Sequence, residues 1–159
     1  MTKTATATRV TFPADREFRT ERTFDAPRDR VWRALTEPAL LAQWWGRGHR
    51  LTIEKFEAKR GGHWRFVEHA ADGNFGFEGR FREVTPPSRM VQTFEWDGMP
   101  GHPLLQTLDL EELPGGRTRI VTTALFFTKE ERDGMIGTGM EGGLNESYAA
   151  LDRVLAELK

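Results

Sequence analysis

Residues 128–158 read TKEERDGMIGTGMEGGLNESYAALDRVLAEL, and this stretch decides the fold. Thr128, with Glu131 three residues on, is a capping-box signature, in which the hydroxyl and the carboxylate satisfy the first free N–H groups of a helix. Beyond it Ile136, Met140, Leu144, Tyr148, Leu151, Leu155 and Leu158 recur every three or four residues, the spacing of one helix face. One feature interrupts the stripe. Gly134, Gly137, Gly139, Gly142 and Gly143 fall within ten residues. Each costs ~1 kcal/mol against alanine inside a helix, so something compensates or the helix breaks there. Two roles fit such a run: a mobile gate, or a close approach of the helix to its neighbours.

Upstream of the stripe the period falls to two. Strands are expected at Leu51–Ala58, Gly62–His69, Phe75–Thr85, Arg89–Trp96, Leu104–Glu112 and Arg117–Phe127. Turn-formers separate them: Gly61-Gly62, Asp72-Gly73, Pro86-Pro87-Ser88, Asp97-Gly98 and Pro114-Gly115-Gly116. Links this short make neighbouring strands antiparallel, because a parallel crossover takes roughly a dozen residues. A first strand is expected at Glu17–Phe24. Asp25-Ala26-Pro27 then switches the chain into a short helix carrying Val31, Trp32 and Leu35, and Pro38 starts another carrying Leu41, Trp44 and Trp45.

Such a sheet buries one face well only if something covers it, and the final helix is the one element long enough. The expected fold is therefore α+β. A curved seven-stranded antiparallel sheet wraps a long C-terminal helix, with two short helices after the first strand, in a helix-grip arrangement. Residues 1–16 are polar and aperiodic and are expected to form a loosely ordered arm, with a short strand near Val10-Thr11-Phe12. Residues 17–159 form the single domain.

The bulk composition excludes several function classes. The chain has 159 residues and a net charge of −1, so it lacks the basic excess a phosphate-neutralising nucleic-acid binder needs. Having no cysteine, it has no disulfide, zinc-thiolate site or thiol nucleophile. No apolar run approaches the ~18 residues of a membrane span, so membrane insertion is not expected. The N-terminus has no apolar segment of a secretory signal, and a cytoplasmic location is expected by default. His49, His63, His69 and His102 do not fall at spacings that would aim two imidazoles at one metal, and no metal or cofactor is expected. Ser88 and Ser147, the only serines, lie in no nucleophile motif.

The aromatic residues are more informative: eleven Phe and five Trp against one Tyr. The apolar parities of the strands are Trp64/Phe66, Phe75/Phe77/Phe81, Met90/Phe94/Trp96 and Leu104/Leu108/Leu110. Together with Trp44, Trp45, Met140 and Leu144 they line either a filled core or a pocket. Glu68, Gln92 and Gln106 share those parities, and a polar group facing a core needs a partner, a rim or a ligand.

Further segments carry a resemblance. They are Arg22-Thr23-Phe24-Asp25-Ala26-Pro27, Val31-Trp32-Arg33-Ala34-Leu35-Thr36-Glu37-Pro38, Gln43-Trp44-Trp45-Gly46 and Arg60-Gly61-Gly62. Downstream come Glu83-Val84-Thr85-Pro86-Pro87-Ser88-Arg89, Thr118-Arg119-Ile120, Glu130-Glu131-Arg132-Asp133 and Gly139-Met140-Glu141-Gly142-Gly143. In this order the chain, from about residue 9 onward, resembles the heat-shock-protein 90 ATPase activator-like family. That family is similar to the broader START and birch-pollen-allergen-like (SRPBCC) superfamily, whose members hold lipids, sterols or polyketides between sheet and helix.

The resemblance implies a pocket rather than a filled core. It implies non-enzymatic binding of a small hydrophobic molecule, lipid-like or aromatic, as a carrier or sensor, with a link to stress responses. The expected ligand-binding residues are Trp44, Trp45, Trp64, Phe66, Phe77, Phe81, Gln92, Phe94, Trp96, Gln106, Met140 and Leu144. No shared catalytic residue carries over. Two other classes compete: an enzyme of the polyketide-cyclase or aromatase type, with Glu68 as its acid/base group, and a protein-interaction module contacting a chaperone or regulator. Co-chaperones of the family bear a separate N-terminal domain for which this length leaves no room.

Overall fold

Along Glu17–Phe24 every second residue is buried, namely Phe18, Thr20, Arg22 and Phe24, which is the signature of a strand with one face on a core. The same alternation recurs across the computed structural model, which describes residues 7–158. The elements in chain order are β1 (Arg9–Thr11), β2 (Glu17–Phe24), α1 (Arg28–Thr36), α2 (Pro38–Leu41), β3 (Arg50–Phe56) and β4 (His63–Ala70). They continue as β5 (Gly73–Thr85), β6 (Arg89–Trp96), β7 (Leu104–Leu113), β8 (Arg117–Leu125), α3 (Lys129–Gly137) and α4 (Met140–Glu157). The strands form one antiparallel sheet in the order β1-β2-β8-β7-β6-β5-β4-β3. The helix-grip expectation holds.

The strand count is eight, not seven. The additional strand is β1, which pairs Arg9 with Glu21, Val10 with Thr20 and Thr11 with Arg19. Three residues are too few to show a period, so its pairing follows from the neighbour and not from its own pattern. Of the arm expected at residues 1–16, residues 1–6 lie outside the described residues.

Thr128 caps α3 by accepting the Glu131 backbone N–H at 3.0 Å. The glycine run breaks the helix: α3 stops at Gly137, and Gly139, at φ 81°, opens α4. A left-handed backbone favours glycine, which has no Cβ to clash. Gly134, Gly137 and Gly142 have nothing within 4 Å of where a Cβ would sit, so close helix approach does not explain them.

α4 buries Tyr148, Ala150, Leu151, Val154 and Leu155 against Phe24, Val31, Trp32 and Leu35. Arg22, 9% exposed, grips it from the sheet through two bonds to Asp152 at 2.7 and 2.6 Å. A fully buried leucine such as Leu151 contributes about 1.5–3 kcal/mol, so this face holds the helix on the sheet. At the other end Phe18, Leu104, Ala124 and Phe126 form a smaller cluster with Met135, Ile136 and Met140. Between the two packed ends the helix does not fill the sheet.

Candidate functional site: a cavity between sheet and helix

Two cross-strand rows form the floor of a cavity. In the first, Phe18, Ala124, Gln106, Gln92 and Phe81 stand opposite one another on β2, β8, β7, β6 and β5. Two residues along, Thr20, Thr122, Leu108 and Met90 make a second row on the same face. Residues two apart on a strand share a face, so the register alone aims all nine side chains at the helix. Leu35, Leu41, Trp44, Trp45, Met140, Leu144 and Tyr148 close the space from the helical side, and Phe56, Trp64 and Phe66 wall it toward β3. The cavity volume is about 140 Å³.

The indoles in the wall are fixed by their polar ends. Trp44 Nε1 donates to the Ala34 carbonyl at 2.8 Å, and Trp64 Nε1 to the Thr93 carbonyl at 3.2 Å. A buried indole N–H left unmatched would cost free energy, so these bonds set the ring orientations. Trp45 then meets Phe66 and Phe77 edge-on, with ring centroids 5.1 and 5.2 Å away.

The polar groups in the lining are Thr20, Gln92, Gln106, Thr122 and Tyr148, and no lining residue carries a charge at neutral pH. Gln92 Nε2 donates to Gln106 Oε1 at 3.4 Å, longer than a good N–H···O bond. The Thr122 hydroxyl is buried and makes no well-formed hydrogen bond, although it stands near enough to the Tyr148 phenol to act on it as a polar neighbour. Burial pushes the Tyr148 phenol above its ordinary pKa, against an opposing pull from Thr122 and from the charge of Arg22.

The profile of the family described as "Activator of Hsp90 ATPase homolog 1-like protein" matches residues 25–156. The chain belongs to that family. A crystal structure of a Rhodobacter sphaeroides protein is 31% identical, covering 96% of this chain and 100% of that one, with a TM-score of 0.87. The solution structure of an Arthrobacter aurescens protein is 26% identical over 94% of this chain and 92% of that one, at a TM-score of 0.84. A protein from the dynemicin biosynthetic locus shares the fold at a TM-score of 0.70 and 22% identity, over 91% of this chain and 48% of that one. No match is found among curated protein sequences.

Within this family member, nine of the twelve residues expected at the site line the cavity: Trp44, Trp45, Trp64, Phe66, Phe81, Gln92, Gln106, Met140 and Leu144. The other three stand elsewhere. Phe77 and Phe94 back the wall, their ring centroids 5.4 Å apart and in contact with Trp45 and Trp64 respectively. Trp96 ends β6 opposite Phe77 and lies against Gly98 in the following turn. It shares the parity of Phe94 but is not part of the lining.

Ten lining residues lie outside those twelve, among them Thr20, Thr122 and Tyr148. Tyr148 lies on the quoted stripe, and Phe18 and Thr20 on the parity of β2, so both signals were present. Glu68 is absent from the lining. It is 4% exposed, and its Oε2 accepts from Arg47 Nε at 2.7 Å and lies 2.7 Å from His49 Nδ1. Among the described residues no cluster of His, Asp or Glu is arranged to hold a metal ion, and no helix is long and apolar enough to cross a membrane.

Proposed function

We propose that this protein binds one small hydrophobic molecule in the cavity between sheet and α4 and does not transform it, acting as a carrier or sensor. The observation that carries this reading is the lining itself, built from fourteen apolar side chains around five uncharged polar ones. Apolar walls with a few convergent polar groups are the usual form of a small-molecule site. Membership of the family supports the same reading, since proteins of this fold commonly hold hydrophobic ligands.

The cyclase-like alternative needs a proton-transfer group at the ligand. Glu68 is engaged by Arg47 and His49 outside the lining. Tyr148 is the one titratable side chain inside it, and burial moves its phenol further from the range useful at neutral pH. The interaction-module alternative has exposed Phe12 and Phe127 in its favour, but neither lines the cavity. A cytoplasmic location belongs to this proposal, supported by a cysteine-free chain that suits a reducing compartment.

The test is a native mass spectrum of the protein purified from its own host, paired with tryptophan-emission titrations against uncharged apolar molecules graded in size. Binding of at least one of them, saturable and one to one, is the expected result. A protein that carries no ligand and responds to none of them would overturn the reading.

A further inference from the structure

Resting on the ligand-binding reading above, we infer that the ligand is an uncharged single-ring aromatic bearing one hydrogen-bonding group of the phenol class. Its ring lies in the aromatic end of the cavity and its polar group at Gln92, Gln106 and Thr122. Three observations converge on this class.

Size comes first. The cavity measures about 140 Å³. An apolar cavity of ~150 Å³ takes up benzene, whereas sites for drug-sized ligands start at ~300 Å³. A sterol or an extended acyl chain would have to protrude from this volume or displace its walls, whereas a single ring fills the space.

Charge comes second. No lining residue is ionised at neutral pH. The one buried cation among the described residues, Arg22, is taken by Asp152 through two short bonds. Arg47 is likewise held by Glu68. A carboxylate entering the cavity would lose its hydration and meet no counter-charge, which burial penalises heavily. Fatty acids are disfavoured on this ground as well as by size.

Polarity comes third. An amide side chain offers two donors and two acceptor sites, and the single 3.4 Å contact between Gln92 and Gln106 leaves the Gln106 amino group and the Gln92 carbonyl with capacity to spare. Thr122 brings a buried hydroxyl that makes no well-formed hydrogen bond and has the Tyr148 phenol as a polar neighbour. Gln106 stands opposite Ala124, and Thr122 is two residues from Ala124 on the same strand, so Gln106 and Thr122 are diagonal neighbours on one face. Diagonal cross-strand pairs sit ~7–8 Å apart, a gap that one hydroxyl oxygen placed between the two side chains can bridge. A phenol oxygen there accepts from the Gln106 amino group, and its proton goes to the Gln92 carbonyl or to Thr122 Oγ1. A pure hydrocarbon in the same place would displace water from these groups and return nothing.

Phenol and toluene separate the class from mere hydrophobicity, since they have nearly one shape and toluene is the more apolar. Isothermal titration of the full chain at pH 7 with phenol, toluene and decanoate is the experiment, repeated on Gln106→Met and Thr122→Val. Phenol is expected to bind at least about tenfold tighter than toluene, the penalty for leaving one buried polar group unmatched, and decanoate not to bind. The phenol preference is expected to fall several-fold in each variant while toluene binding stays. Thr122→Val keeps the shape of the side chain and loses only its hydroxyl, so it carries the comparison if Gln106→Met does not fold. Toluene or decanoate binding as tightly as phenol would overturn the ligand class yet leave a ligand site standing. So would a phenol preference that survives in both variants. No binding by any of the three overturns the ligand class as well, and the ligand-binding reading itself falls only if the native mass spectrum and the size-graded set are also negative.

Discussion

Arg47 Nε donates to Glu68 Oε2 at 2.7 Å, tying the loop after α2 to the inner face of β4. The loop needs the tie. Gly46, Arg47 and Gly48 are consecutive left-handed residues at φ 80°, 62° and 77°, and a non-glycine residue there carries a steric cost of ~1–2 kcal/mol. Two more contacts oppose that cost: His49 Nδ1 lies 2.7 Å from the same carboxylate oxygen, and the Arg47 backbone N–H donates to Ser147 Oγ on α4 at 2.8 Å. Trp44 and Trp45 immediately precede this loop, so the latch also holds part of the cavity roof.

Glu68→Gln is expected to lower unfolding stability by about 1–3 kcal/mol in chemical denaturation, the range for hydrogen bonds to charged groups. Arg47→Gly removes the same pair but relieves the left-handed strain, so its loss is expected to be smaller. Equal losses in the two variants would show that strain at Arg47 plays no part.

Tyr148 is the only tyrosine of the chain, which makes its titration readable by phenolate absorbance. Its folded pKa is raised above the ordinary 10.0, chiefly by burial. A group with a raised folded pKa contributes stability that is present below the unfolded pKa and is lost as pH rises through the folded one. Stability is therefore expected to fall as pH climbs above about 10, with the folded protein's phenolate appearing only at higher pH than in the unfolded chain. Tyr148→Phe should remove that part of the alkaline slope. Coincident folded and unfolded titrations would contradict the burial argument.

The glycines around the α3–α4 break are expected to split by backbone conformation. Gly134 and Gly142 lie in helices with open space at the Cβ position, so alanine there should raise stability by up to ~1 kcal/mol. Gly139, at φ 81°, should lose ~1–2 kcal/mol on the same change. Denaturation midpoints of the three single variants make the comparison, and a loss in Gly134→Ala would show a packing role that the geometry does not contain.

Ligand-dependent tryptophan emission is expected to come from Trp44, Trp45 and Trp64, which line the cavity, and not from Trp96 at the end of β6. With phenol or toluene as titrant, Trp45→Phe should remove much of the emission change and Trp96→Phe should leave it intact. Persistence of the full signal in Trp45→Phe together with its loss in Trp96→Phe would move the site to the far end of the sheet.

Much of the fold could be read locally, because the signals that encode it are local. A period of two, a stripe at three and four residues, a Thr-x-x-Glu cap and a Gly-rich break each depend on side chains within one or two turns of each other. That is why β2, the strands after residue 50, the Thr128 cap and the α4 face all stand where their patterns put them. Strand β1 was legible only as a short stretch near Val10-Thr11-Phe12 and was not counted in the sheet, since three residues hold no period and its place comes from pairing with β2.

The candidate site was legible in part for the same reason. Parity alone turned Phe81, Gln92 and Gln106 toward the helix, but parity does not say where along the strand the helix lies. Trp96 shares the parity and falls outside the cavity, because coverage is decided by where α4 docks. Thr20 shares the inward parity of β2, but the Thr122 hydroxyl carries no apolar signal, and only the register that aligns β2, β8 and β7 gathers the two beside Gln106. Glu68 was read onto the inward face, and its partner Arg47 lies twenty-one residues earlier in an irregular loop. By itself the sequence determined which faces point inward, because that depends on near neighbours along the chain. Whether the space between them closes into a packed core or stays open as a cavity was decided by the tertiary structure. That outcome depends on the docking of α4 across strands far apart in sequence, and no short-range pattern encodes it.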